Sequence, residues 1–301
     1  MVPTASGTPA HAKSFSFQHR FQKELNVLHK FLFSLIVLAS LSSSHLFASP
    51  PPAAIHIPAG TFYMGCAAKD LGCDEDEGPS GGVTVYIDNF SIDQHEVSVA
   101  EYRACVQAGE CSRPKDHKRN KYCNYDAPDR DNHPLNCVDW QQSSDYCRWR
   151  GGRLAYEAEW EKAARAGSRT RYPWGDADAD CRHAIMDDKK TTGIVKDEFD
   201  GCGNDRTAPR GSRAPNNYNL YDMHGGVAEW VQNWYQVDSH TQLYTKGNIQ
   251  GPNVGERRVI KGGAWDEQAW ALTSSGRWAK PPTGHPSLYG SNGIRCVYQT
   301  K

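Results

Sequence analysis

After residue 48 this 301-residue chain has no long hydrophobic run. The strongest one before it, Phe31–Ala39, is about half the ~20 residues a membrane-spanning helix needs. A spanning helix in the mature chain is therefore not expected. Charge of one sign is also missing, since 34 basic and 35 acidic residues are mixed along the chain, for a net charge of −1. With neither a basic stripe nor an acidic tail, a nucleic-acid partner and a cation-buffering tail are not expected. Hydrophobic residues make up 38% of the chain, and the mean hydropathy of −0.70 is polar for a globular chain of this size. No Cys-x-x-Cys or Cys/His spacing of a zinc site occurs, and no internal repeat or long low-complexity tract is present.

Against these absences stand 9 Trp, 14 Tyr, 27 Gly and 10 Cys. That balance suits a loop-rich domain held by aromatic clusters and covalent staples more than by a large aliphatic core. Arg20, Lys23 and Lys30 precede the apolar run, and Leu46-Phe47-Ala48 follows it. A positive segment, a short apolar core and a small residue form the pattern of a cleaved signal peptide over 1–48. Export puts the mature chain in an oxidising compartment, periplasmic or secreted, where an even number of cysteines reads as a disulfide framework. Short loops suggest Cys66 with Cys73, Cys105 with Cys111, and Cys123 with Cys137. Cys181 and Cys202 flank one polar loop, which leaves Cys147 and Cys296 as a long-range pair; sequence alone does not fix the connectivity.

A stiff Pro-rich linker covers 49–54, and one α+β domain follows over 55–301. Ile55–Gly65 reads as two short strands around a Pro-Gly turn, and Val83–Ile87 alternates as a half-buried strand. Ser98 with Glu101 and Asp139 with Gln142 form capping boxes, with stops at Gly109 and at Gly151-Gly152. A third helix is expected from about Glu157 to Ala166. From Gly167 onward, Gly, Pro, Asn and Trp dominate, and irregular loops with short strands such as Arg258–Lys261 are expected.

Several ordered segments together resemble one family. They are Ile57–Gly65, Asp88–Val97, His133-Pro-Leu-Asn-Cys-Val-Asp-Trp140, Tyr146–Leu154, Glu157–Arg165, Tyr172-Pro-Trp-Gly175, Asn219–Trp230, Arg258–Trp265 and Gly293-Ile-Arg-Cys296. The chain resembles the formylglycine-generating enzyme, or sulfatase-modifying factor, family. The resemblance implies an asymmetric C-type-lectin-like fold with little regular secondary structure. It also implies a calcium site with Asp222 and Glu229 as side-chain ligands and Gly225 and Val227 offering carbonyls, a donor set that suits a hard cation. A second family calcium site matches poorly, with His183 in place of an expected Asn and Asp200 fitting only through an insertion. The pair Cys147–Cys296 matches a disulfide of the family.

The family's enzymes hold copper(I) with two thiolates a few residues after a Lys-Gly-Gly-Ser-Trp-like segment. Here that stretch is Lys261-Gly-Gly-Ala-Trp-Asp-Glu-Gln-Ala-Trp-Ala-Leu272, which puts Glu267 and Leu272 at the thiolate positions and Ala264 at the serine. A carboxylate and a leucine do not replace two thiolates on a soft ion, so copper is not expected. Asp266, Glu267 and His285 lack the motif of a harder metal site and read as a solvated loop. A peptide- or small-molecule-binding module is then expected, with a groove lined by Trp265, Trp270, Arg277, Trp278, Tyr289, Asn292 and Arg295. Of these, Trp265 and Trp278 read as core, and Trp270 and Tyr289 as either core or groove. The alternative is a formylglycine-generating oxidase or a related maturation enzyme, since relatives act in sulfatase maturation and siderophore tailoring.

Overall fold

The computed structural model describes residues 53–114, 120–188, 202, 206–283 and 290–299. Strands β1 (Ala54–Ile57) and β2 (Gly60–Met64) flank the Pro58-Ala59 turn, yet they join different sheets. β2 pairs with β3 (Val83–Ile87) in a two-stranded antiparallel sheet, Phe62 opposite Val85. In β3 the alternation is literal, with Val85 and Ile87 buried and Thr84 and Tyr86 exposed, as a one-sided strand requires. β1 pairs with β4 (Phe90–Asp93), which continues to β10 (Cys296–Tyr298) and β5 (Arg153–Leu154) in a four-stranded sheet. The second four-stranded sheet runs β8 (Arg277–Lys280), β7 (Arg258–Lys261), β6 (Ala228–Trp234), β9 (Asn292–Gly293). Its β6–β9 pair is parallel and the other pairs are antiparallel.

The helices form where the punctuation places them. α1 (Val99–Gln107) starts on a capping box: Ser98 Oγ accepts from the Glu101 N–H at 3.1 Å and the Glu101 carboxylate accepts from the Ser98 N–H at 2.7 Å. α2 (Trp140–Trp149) repeats the device with Asp139 and Gln142. α3 (Glu157–Arg165) is buried along its whole length and ends as Ala166 turns left-handed ahead of Gly167. A short fourth helix, α4 (Ser239–Gln242), was not anticipated from the sequence, because one turn carries no periodicity.

Five disulfides close the loops: Cys66–Cys73, Cys105–Cys111, Cys123–Cys137, Cys181–Cys202 and Cys147–Cys296. The last ties α2 to β10 across 149 residues. In a chain-entropy picture that closure is worth about 4–5 kcal/mol. Around it the core is aromatic, with Tyr102, Tyr146 and Trp265 buried in one cluster with the two cysteines, while Trp160 is buried in a second cluster. Residues Pro51–Lys301 pack as one unit. Among the described residues no helix is long and apolar enough to cross a membrane.

Candidate functional site

The segment that follows β7 shapes the candidate site. Gly262 and Gly263 take φ of 96° and 68°, and a Cβ at Gly263 would lie 2.7 Å from Leu272 Cδ1. Glycine therefore lets the chain double back onto the short 3₁₀ helix Ala269–Leu272. Inside this turn Trp265 is buried, its backbone N–H donating to the Gly226 carbonyl at 3.0 Å. Leu272 is fully buried among Tyr172, Ala184 and Met186, so the second thiolate position of the resemblance is apolar core.

Glu267 is different. Its N–H donates to the Ala264 carbonyl at 3.0 Å, and its carbonyl accepts from the Asp187 N–H at 2.9 Å. The reading of Asp266 and Glu267 as a solvated loop is overturned. Both are partly buried, and Asp266 Oδ1 and Glu267 Oε2 are buried with no hydrogen-bond partner. Burial first, then the neighbouring Asp266 charge, pushes the Glu267 carboxyl up to about 7, with Lys280 opposing. Asp266 is also raised by burial, although Ser291 Oγ donates to its Oδ2 at 2.7 Å. Burial lowers the Lys280 ammonium, against the pull of Glu267 and Asp266.

The expected groove residues do not gather into one groove. Arg277 is a structural ion: its Nε donates to Glu157 Oε1 at 2.7 Å and its terminal nitrogen to Glu157 Oε2 at 2.8 Å, both side chains fully buried. Arg295 is equally internal, donating to Glu229 at 2.8 Å and to the carbonyls of Asp93 and Tyr221. These two arginines line nothing open to a ligand, because α3 and β6 supply carboxylates that reach them first. Trp278 is not core: it is 37% exposed, beside Trp270 at 58%, with ring centroids 5.7 Å apart. On the four-residue strand β8 Trp278 projects away from buried Arg277 and its ring is left partly exposed, which a sequence window that short does not reveal. Asn292 is fully buried and donates nothing from Nδ2. Tyr289, with His285 and Asp200, lies outside the described residues. A cleft of about 510 Å³ opens next to Trp270, lined by Arg171, Asp178, Asp187, Asp188, Gln268 and Ala269.

The residues of the expected calcium site sit in a buried acidic centre. Asp222, at φ 54°, accepts from the Gly211 N–H at 2.6 Å, and Gly225 must be glycine because a Cβ would strike the Ile185 carbonyl. Glu229 accepts from Trp160 Nε1 at 2.6 Å and from Arg295. Sequence reading missed Glu96, whose Oε1 accepts from the Val227 N–H at 2.8 Å and fills the space where a Cβ at Gly226 would stand, 2.7 Å away. Nothing in its local pattern sets Glu96 apart. Burial, then Asp222 and Glu229, hold Glu96 well above the usual carboxylate range. Burial raises Asp222 and Glu229 as well, against the Gly211 N–H and Arg295 respectively. Three carboxylates gather around the one buried guanidinium of Arg295, with Arg210 and Arg213 acting on Asp222 from farther out, and each bonded carboxylate oxygen keeps a second lone pair. The donor types thus suit a hard cation. Among the described residues, however, no group of three or more His, Cys, Asp or Glu converges as a metal site would, and Arg295 is the counter-charge in place.

Gly78-Pro79-Ser80-Gly81-Gly82 has the spelling of a nucleophile elbow. It lies in a turn leading into β3, not between a strand and a helix, and Ser80 is exposed, so the geometry of such a nucleophile is missing.

A family profile described as the sulfatase-modifying factor enzyme 1-like domain matches residues 42–300. The formylglycine-generating enzyme of Thermomonospora curvata is 32% identical over 253 residues, covering 70% of this chain and 82% of that one. The mouse protein named inactive C-alpha-formylglycine-generating enzyme 2 is 29% identical over 273 residues, covering 78% and 81%. Among solved structures, PvdO from Pseudomonas aeruginosa superimposes with a TM-score of 0.67 at 27% identity, covering 83% of this chain and 95% of that one. With its motifs in order, its mixed loop-rich architecture and these matches, the chain belongs to the sulfatase-modifying factor family.

Proposed function

We propose that this protein is an exported, calcium-stabilised binding module of its family that holds a peptide or small-molecule ligand and does not make formylglycine by the copper route. The observation that carries the reading is the pair of residues at the thiolate positions. Glu267 brings a hard carboxylate where a soft ion needs sulfur, and Leu272 is sealed in apolar core. Among the described residues every cysteine is in a disulfide. Five disulfides fit an oxidising compartment, and residues 1–48 supply the export signal of this proposal, with 49–54 as a linker. Ligand binding is supported by the cleft beside Trp270 and by two exposed tryptophans in contact, the side-chain type that dominates binding hot spots.

Calcium belongs to the proposal through the buried carboxylates of Asp222 and Glu229, with the Gly225 and Val227 carbonyls completing the donor set. A rise in melting temperature on adding calcium, lost in Asp222→Ala or Glu229→Ala, is the expected result; an unchanged rise in both variants removes calcium from the reading.

A second reading, an oxidase or related maturation enzyme, draws on the name of the Thermomonospora relative. One experiment separates the two. The mature protein is incubated with copper(I) or iron(II), oxygen and a Cys-x-Pro-x-Arg peptide, and the peptide is weighed by mass spectrometry beside an active control enzyme. No conversion is expected. Conversion overturns the binding-module reading and shows that Glu267 and Leu272 do not stop the chemistry.

A further inference from the structure

Three buried polar atoms without partners belong to residues that share Lys280 and Ser291 as neighbours, on the side of β8 that carries the exposed Trp278. They are Asp266 Oδ1, Glu267 Oε2 and Asn292 Nδ2. The other polar atoms of the same group are engaged: Asp266 Oδ2 accepts from Ser291 Oγ at 2.7 Å, and Asn292 Oδ1 accepts from Lys280 Nζ at 3.1 Å. An ammonium only donates, so the Lys280 bond settles which way the Asn292 amide points, and its nitrogen faces away from Lys280. Asn292 is fully buried. A buried donor or acceptor left unpaired costs stability, and here two acceptors and one donor are left so on residues grouped around Lys280. Two carboxylates against one ammonium also leave the spot short of positive charge. Trp278 and Lys280 are two residues apart on β8 and project to the same face, which sets the Trp270–Trp278 pair next to this polar group.

We propose that Asp266, Glu267 and Asn292 recognise a primary ammonium group with a carbonyl beside it, whose aromatic or apolar side chain lies on Trp270 and Trp278. The two carboxylate oxygens accept from the ammonium and the Asn292 amide donates to the carbonyl. That chemistry occurs at a peptide N-terminus and in a free amino-acid amide. The assignment rests on the ligand-binding reading above and names the ligand's class. The groups facing Glu267 are Asp266 and Lys280, and Asp187 faces Asp266. With its carboxyl pushed up to about 7, Glu267 is mostly protonated at pH 6 and ionises as the ammonium arrives. Binding there releases a proton.

The test is calorimetric titration of the full mature protein at pH 6 in two buffers of different ionisation enthalpy, with phenylalanine amide as the probe. N-acetyl-phenylalanine amide, whose amine is blocked, is the control, and Phe-Ala-Ala with a free N-terminus distinguishes a peptide end from a small amine. Phenylalanine amide is expected to bind with release of close to one proton, and the acetylated compound to bind on the order of tenfold or more weakly. Glu267→Gln should remove the proton release and weaken binding by a similar factor. Trp270→Ala, at an exposed position that leaves the fold alone, should weaken binding while keeping the release. Equal binding of the free and blocked amides, no binding of either, or undiminished proton release in a folded Glu267→Gln protein each overturns the proposal. Should Glu267→Gln not fold, the buffer comparison with Trp270→Ala and the two amides decides alone. Failure here, with the cysteine peptide still unconverted, sinks the amine assignment and leaves the broader binding reading standing.

Discussion

Replacing Arg277 by methionine is the sharpest test of how this domain is held together. Its guanidinium and the Glu157 carboxylate form two hydrogen bonds of 2.7 and 2.8 Å with both side chains out of water. Arg277→Met removes the cation and keeps most of the volume, so Glu157 is left charged, buried and short of its main partner. Breaking one side of such a pair costs about 3–5 kcal/mol. For a domain of this size each kcal/mol moves the melting temperature by roughly 2–4 °C, so a fall of roughly 6–20 °C is expected by scanning calorimetry.

The pH dependence carries a definite sign. Burial alone would raise Glu157, but Arg277, with Lys261 and His240 behind it, holds its pKa below the usual value. The pair's contribution is therefore fully present above the unfolded carboxylate pKa of about 4.3 and is lost as pH falls through the lower folded value. In Arg277→Met the folded carboxyl takes up a proton more readily, so the deficit is largest near pH 7 and shrinks toward pH 4. Glu157→Gln in the same background keeps an oxygen for the Tyr244 hydroxyl, now 2.6 Å from Oε2, and removes the charge. It should recover at least about 1 kcal/mol. A loss under about 1 kcal/mol in the single variant, or no recovery in the double, refutes the structural role given to Arg277 and restores it as a groove residue.

Three further outcomes follow from the same physics. Reducing the long-range staple by Cys147→Ser with Cys296→Ser is expected to cost about 2–5 kcal/mol in denaturant unfolding, more than opening the six-residue separation of Cys105–Cys111. The reverse ranking would contradict it. Trp278→Ala and Trp270→Ala should each change stability by under about 1 kcal/mol because both rings are exposed, whereas Trp265→Ala removes a buried ring and should cost about 3–5 kcal/mol. Equal effects would mean that Trp278 is core after all. Asp93, raised to about 6 by burial against the Cys296 N–H and the Tyr298 hydroxyl, adds stability that is complete below its unfolded pKa and is lost as pH rises through about 6. Asp93→Asn should therefore flatten the stability profile between about pH 4 and 6; an unchanged slope there would rule Asp93 out as its source.

The chain's helices and its short-range disulfides were written locally. A capping box needs only residues three apart, so Ser98–Glu101 and Asp139–Gln142 announce α1 and α2 wherever the chain later packs. The same holds for the glycines that end them and for cysteines six or seven residues apart. Family membership was legible because many motifs recur in order. What the tertiary structure alone decided is which charges face one another. Arg277 and Arg295 look like ligand-binding arginines in one dimension and become internal ions because α3 and β6 bring Glu157 and Glu229 to them across 120 and 66 residues. Glu96 joins the Asp222–Glu229 centre from 131 residues away through the Val227 N–H. Glu267 reads as a surface loop until folding sets it against Asp266 and Lys280, with one oxygen out of water. Burial and charge pairing are properties of neighbours in space, and no local pattern of residues encodes which neighbours those will be.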